Sequence, residues 1–219
     1  MRGMYIIGVL GLLITAAVLG LYVIQGVRAD DCAVLRKIQT DNGVVEIVNA
    51  TCKEGLPHTT GPNTMRFTEA AWNDARREET LVHERVHLAQ KRAPNDWAEF
   101  YRRVWDYEMY TSPPVSLSDD SIQKLRKNPD TEAAPWAVWR RRYVFYPYSA
   151  DGKLKSANIR IWDLEQKTYL ETPPDTWRAF FCDGDTCPHQ YEHPHELAAE
   201  YIAKKSKSQA AANLFAWYK

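Results

Sequence analysis

Hydrophobic and polar positions change their rhythm three times along the chain. From Met4 to Val27, MYIIGVLGLLITAAVLGLYVIQGV carries no charged side chain, and about twenty apolar residues suit a helix crossing a bilayer of roughly 30 Å. A cleaved signal is the competing reading, but its apolar core usually runs about 7 to 15 residues, so the stretch predicts a single transmembrane helix. Next, AVLRKIQT and VVEIVNAT flank Asp41, Asn42 and Gly43, the pattern of a β-hairpin with Asn-Gly in its turn. Pro, Gly and Thr then dominate GLPHTTGPNT, a loop, and MRFTE follows as a short strand.

Helical spacing takes over from about Trp72 to Arg92, ending before Pro94, and again near Asp96 to Tyr110, where Trp97, Phe100, Tyr101, Val104 and Tyr107 recur on one face. TSPPVSLSDDSIQKLRKNPDTEAAP reads as a loop with one helical turn near Ile122 to Arg126, a candidate lid or partner surface. WAVWRRRYVFYPYS and ANIRIWDL, with a turn at Asp151-Gly152, predict a second hairpin, and HELAAEYIAKKSKSQAAANLFAWYK predicts a final helix that breaks near Ser206. The expected organisation is an anchor over 1–29 and one α+β domain over 30–219, with a long helix packed on a small antiparallel sheet and further helices around it.

Lys+Arg and Asp+Glu balance at 28 each, so no overall field favours nucleic acid. The 8 Trp and 12 Tyr are spread along the chain and suit core packing better than a base-stacking platform. Arg140, Arg141 and Arg142 read as a solvated strand edge. Charge counting around residues 4–27 would put the large domain on the cytoplasmic side. The four cysteines point the other way, because Cys32, Cys52, Cys182 and Cys187 all follow the apolar segment and an even number suggests two disulfides. Cys32 and Cys52 close the open ends of the first hairpin, and Cys182 and Cys187 flank a turn. The sequon at Asn49, a candidate glycosylation site, also fits a non-cytosolic domain, and that side is the expected one.

The segment LVHERVHLAQ carries the candidate chemistry. Residues i and i+4 share a helical face, so His83 and His87 can direct imidazole nitrogens at one ion, and Glu84 stands beside it as a base for an activated water. A catalytic zinc needs a third protein ligand. The downstream histidine of the extended motif is excluded, because Gln90 and Ala93 occupy its fixed places. Further along, Glu196 and Glu200 lie four apart on one helical face. The histidines His189, His193 and His195 are alternatives for the third ligand or for an oxyanion donor, and Tyr191 and Tyr201 are further donor candidates.

In HERVH and HELAAEY the chain resembles the gluzincin metallopeptidases. That resemblance implies a zincin-like domain in which Glu196 is the third zinc ligand and Glu200 orients His83 or His87. Arg85 departs from the family, which mostly keeps an uncharged residue there, and the separation of the two segments is long for it. The implied activity is zinc-dependent hydrolysis of a peptide or protein substrate by a single-pass membrane metalloprotease. The apolar segment, aromatic-rich domain and HERVHLAQ together also resemble uncharacterised proteins of large DNA viruses of algae. That second resemblance implies a structural or assembly role, for example a minor capsid protein linking a virion membrane to capsid partners.

Overall fold

The structure, a computed structural model, describes residues 32–114, 117, 119–153 and 157–218. In chain order its elements are β1 (Val34–Thr40), β2 (Gly43–Val48), β3 (His58–Thr60), β4 (Thr64–Thr68), α1 (Glu69–Trp72), α2 (Arg77–Arg92), α3 (Pro94–Phe100), β5 (Tyr107–Tyr110) and α4 (Asp119–Gln123). They continue with β6 (Trp136–Trp139), β7 (Tyr143–Tyr148), β8 (Asn158–Asp163), β9 (Thr168–Leu170), α5 (Asp175–Phe181), α6 (Pro194–Lys204) and α7 (Gln209–Trp217). The architecture is α+β, with helices packed on two small sheets.

The first sheet runs β1-β2-β4-β3, with β2 and β4 parallel and the two outer pairs antiparallel. Its hairpin forms where Asn42-Gly43 predicts a turn. Gly43 has a φ of 135°, and a Cβ there would lie 2.3 Å from the Asn63 carbonyl oxygen, so only glycine fits. The expected small antiparallel sheet is therefore corrected to a mixed one. Across it, Lys37, Glu46 and Arg66 stand directly opposite one another on β1, β2 and β4, and Glu46 accepts from Lys37 at 2.9 Å and Arg66 at 3.0 Å.

The second sheet is an antiparallel meander, β5-β6-β7-β8-β9. Two expectations change here. The helix expected over Asp96–Tyr110 ends early: α3 passes into a π turn over Tyr101–Trp105, Asp106 turns left-handed with a φ of 61°, and the chain leaves as β5. Burying Tyr107 beside Phe145 and Phe181 outweighs the helical periodicity. The arginine cluster is a turn as well as an edge. Arg140 and Arg141 have φ values of 51° and 53°, the left-handed pair that matches a two-residue hairpin to strand twist, so WAVWRRRYVFYPYS makes two strands instead of one.

One aromatic core holds the second sheet, α5, α6 and α7 together. Trp105, Tyr107, Phe145, Trp177 and Phe181 are all nearly inaccessible to solvent. Each indole finds an acceptor, with Trp105 donating to the Ala210 carbonyl at 3.1 Å and Trp177 to the Tyr107 hydroxyl at 2.8 Å. A smaller core under the first sheet takes Val45, Ile47, Met65 and Phe67 from the strands and Leu81 and Leu88 from α2. Helix α2 thus lies between the cores, with Val86 turned to the aromatic one. Its third face meets α6. The predicted break near Ser206 also occurs: Lys205 ends α6 in the left-handed conformation, and Ser208 caps α7 by accepting from the Ala211 amide at 3.1 Å.

The membrane expectation is corrected. No helix among the described residues is long and apolar enough to cross a membrane, and residues 4–27 lie outside those described. The bilayer as a partner, the single-pass and virion-membrane placement, the membrane-anchored peptidase and the membrane-to-capsid role all depended on that helix. They are withdrawn with it.

Candidate metal centre

Two clusters of side chains among the described residues could coordinate a metal ion: Cys32, Cys52 and His58, and His83, His87 and Glu196. In the first, the sulfurs are joined in a disulfide, and a metal requires thiolates. His58 is the one other ligand type there, with its Nδ1 against the Leu56 carbonyl at 3.0 Å and its Nε2 against Cys52 Sγ at 3.9 Å. The second cluster consists of two imidazoles and a carboxylate, which bind a metal once the rings are neutral.

Helix α2 supplies both histidines, because residues four apart on a helix point the same way, and α6 supplies the carboxylate. His83 Nε2 lies 3.0 Å from His87 Nε2 and 3.2 Å from Glu196 Oε2, and His87 Nε2 lies 3.5 Å from that same oxygen. A tetrahedral zinc with donors at about 2.0–2.1 Å has edges of about 3.3–3.4 Å between ligand atoms. The three atoms therefore already form one face of such a tetrahedron, drawn from positions 113 residues apart.

Hydrogen bonds behind the cluster fix which atoms face it. Gln90 must present its amide NH2 to the His195 carbonyl, 3.0 Å away, since a carbonyl can only accept. The same NH2 meets the Tyr101 hydroxyl at 3.0 Å. Gln90 Oε1 is thereby turned to His87 Nδ1 at 2.7 Å, so Nδ1 carries the hydrogen and the neutral ring offers its lone pair on Nε2. On the other side, Asn128 donates to Glu196 Oε1 at 2.8 Å and leaves Oε2 for the histidines.

The electrostatics favour a cation at this point. Burial works against a charged His87, yet the carboxylates of Glu196 and Asp130 outweigh it and push this imidazole up to about 10. Burial likewise opposes the Glu196 charge, but His87 and the hydrogen bond from His83 hold that carboxyl well below its usual range. His87 and Glu196 are almost fully buried, whereas the His83 side chain keeps 16% of its surface exposed. Access is from the His83 side.

Glu84 is the other buried acid of α2. Its Oε2 is buried and finds no hydrogen-bond partner. Burial first, and then the nearby charge of Asp130, raise its carboxyl well above the ordinary range. Together with His83, His87 and Glu196 it lines a cavity of about 350 Å³. An unpaired buried oxygen beside three converging donors is the kind of group that a bound ion and its water would satisfy.

Of the remaining site candidates, Glu200 lines the same cavity without joining the cluster. Glu200 does not reach either histidine of α2: it accepts from the His189 and Gln190 amides at 3.0 and 2.8 Å and from Lys204 at 2.7 Å. His193 caps α6, accepting from the His195 amide at 3.2 Å, and its Nε2 donates to the Ala134 carbonyl at 3.0 Å. Burial pushes it down to about 4. His195 turns its ring to Tyr101 and its Nδ1 to the Asp130 carbonyl. Tyr201 donates to the Phe181 carbonyl inside the aromatic core. Among the described residues, neither these two histidines nor Tyr201 line the cavity. Cys182 and Cys187 form the second disulfide. Asn49 donates to Thr51 Oγ1 at 2.9 Å at the surface. Arg85 does not line the cavity, and its Nε is buried without a hydrogen bond.

Sequence reasoning misses Gln90, Asn128 and Asp130. For Gln90 a signal exists, since it sits three residues after His87 on the same helical face. Asn128 and Asp130 come from the segment expected as a lid or partner surface, of which residues 126–130 line the cavity. The chain matches no protein-family model, no curated protein and no solved structure.

Proposed function

We propose that this domain is a zinc-dependent hydrolase of peptide bonds, with His83, His87 and Glu196 as the zinc ligands and Glu84 as the general base. The observation that carries this reading is the set of 3.0, 3.2 and 3.5 Å separations among the three donor atoms, next to the unpaired buried carboxylate of Glu84. Two neutral imidazoles and one carboxylate are also a donor set that zinc takes at catalytic centres.

Zinc held there supplies Lewis acidity, which makes a water acidic enough to ionise near neutral pH and polarises a peptide carbonyl. Glu84 takes the proton of the attacking water at its free Oε2 and passes it to the leaving amine. Gln90 keeps His87 in the tautomer that binds metal, and Asn128 keeps Glu196 Oε2 directed inward.

Elemental analysis of the purified chain, alongside Glu196→Ala and Glu84→Gln, tests the reading. The expected result is one zinc per chain in the wild type, loss of zinc in Glu196→Ala, and retention in Glu84→Gln. Hydrolysis of a mixed peptide pool should fall in Glu84→Gln by about 10²–10⁴-fold, the usual contribution of a general base. No zinc in the wild type after dialysis against the metal, or zinc indifferent to Glu196→Ala, would overturn the metal assignment. Zinc without hydrolysis would leave a metal centre and remove the enzyme.

A further inference from the structure

Beyond the ligand cluster, the wall of the cavity holds a cation with no assigned task. Arg126 follows α4 on a segment clamped at both ends. Its amide donates to the Pro147 carbonyl at 2.9 Å, and Leu125 bridges Tyr148, on the edge of β7 that β6 leaves uncovered beyond Phe145. Four residues on, Asp130 accepts from Lys91 at 2.9 Å and from the Thr59 amide at 3.2 Å, which ties the segment to α2 and β3. Between the clamps, Asn128 bonds Glu196. Arg126 is thus carried on a fixed backbone two residues from a group that touches the proposed zinc ligand.

Arg126 lines the same cavity as His83, Glu84 and Glu196. Its Nε is buried and has no hydrogen-bond partner, and the side chain makes no ion pair among the described residues. Glu192 stands near enough for the two charges to interact, without a hydrogen bond between them. Buried donors in folded proteins are almost always satisfied, and an exception calls for an explanation. A planar, permanently charged fork suits a carboxylate better than any other peptide group. The rim acids Glu54 and Glu79 are exposed and screened by solvent, and the cavity carboxylates of Asp130, Glu196 and Glu200 are already matched by Lys91, by His83 and by Lys204.

We infer that Arg126 binds a carboxylate of the peptide substrate, either an acidic side chain or a free C-terminus, and so selects acidic peptides for the site. This inference rests on the hydrolase reading above, and it assigns to that reading a substrate class. The step is one of binding and changes no covalent bond.

The test uses zinc-loaded full-length chain and three peptides of one length and sequence: one with a single internal Asp and an amidated C-terminus, one with Asn in its place and a free C-terminus, and one with Asn and an amidated end. Binding is read by calorimetry with Glu84→Gln, which leaves peptides intact, and zinc is assayed in every sample. The expected result is about 10–100-fold tighter binding of one carboxylate peptide than of the uncharged one, as for a charge-assisted hydrogen-bonded pair. Whichever carboxylate peptide binds tighter identifies the source. Arg126→Ala should abolish the preference with zinc content unchanged, and Arg126→Lys should restore part of it. Equal binding of all three peptides, no binding, or a preference that survives Arg126→Ala overturns the inference. Absence of zinc is seen separately in the metal assay and counts against the hydrolase reading instead.

Discussion

Replacing Gln90 by Leu tests the proposed metal centre without touching a ligand. Three groups lose their partner: His87 Nδ1, the Tyr101 hydroxyl and the His195 carbonyl, at 2.7, 3.0 and 3.0 Å in the wild type. Without Oε1 to accept from Nδ1, the imidazole is free to rotate and to place its hydrogen on Nε2, the atom that faces His83 and Glu196. Losing such an orienting partner typically weakens metal binding about 10–100-fold, which corresponds to about 1.4–2.7 kcal/mol. Stability falls too, because each buried polar group left unsatisfied costs about 1–3 kcal/mol. Gln90→Glu separates the two effects. It loses the amide donors but retains an oxygen for Nδ1, so its folding stability should fall while its zinc affinity holds. Affinity is measured by competition with a chromophoric chelator at one fixed pH, since ligand protonation opposes metal binding, and stability by urea denaturation with a chelator present. Wild-type zinc affinity in Gln90→Leu, or an equal loss in Gln90→Glu, would refute the orienting role.

Two further predictions concern the frame around the site. In the chain-entropy account, the Cys32–Cys52 bridge, which spans 20 residues, contributes about 3 kcal/mol, and Cys182–Cys187, which spans 5, about 2 kcal/mol. Double Cys→Ala variants compared by urea denaturation should keep that order, and the reverse order would show that native packing outweighs loop entropy. Glu46 gives a pH signature. The hydrogen bond from Lys37, then that from Arg66, hold its carboxyl below the usual value even though burial opposes them. A depressed folded-state pKa stabilises the fold above the unfolded value of about 4.3, and that stability is lost as pH falls through the folded value. Glu46→Gln should therefore be less stable than wild type by about 1 kcal/mol near pH 7, with the gap closing at acid pH. A gap that stays constant down to pH 3 would exclude the linkage.

Local patterns carried much of the fold and half of the site. Asn42-Gly43 marks its hairpin because steric limits act within a few residues, and His83 and His87 can be paired because the helical repeat fixes their relative direction. The passage from helix to strand at Asp106 was illegible for the opposite reason. Tyr107 continues a helical pattern, and only its contacts with Phe145 and Phe181, which lie far along the chain, favour β5. Glu200 shows a similar limit. Its spacing from Glu196 is as regular as that of the two histidines, but at that radius it meets the amides of His189 and Gln190, which periodicity does not reveal. Asn128, Asp130 and Arg126 sit in a loop whose composition marks only flexibility, and their roles come from three anchors outside it: Pro147, Lys91 and Thr59.

Those anchors bear on how the site would respond to a bound ion. Helix α2 is gripped by both cores, through Leu81 and Leu88 on one side and Val86 on the other. Its histidines therefore have little freedom to move. Glu196 lies in α6, whose Leu197, Ala198 and Ala199 are fully buried in the aromatic core. Because the three donor atoms already stand at roughly tetrahedral separations, zinc would be bound by an arrangement that needs little reordering, and binding energy would not be consumed in folding the site. Binding to the folded form alone stabilises it by an amount that grows with the logarithm of free metal over its dissociation constant. Adding zinc should therefore raise the denaturation midpoint without changing the circular dichroism of the native chain. A site assembled only by the metal would change both.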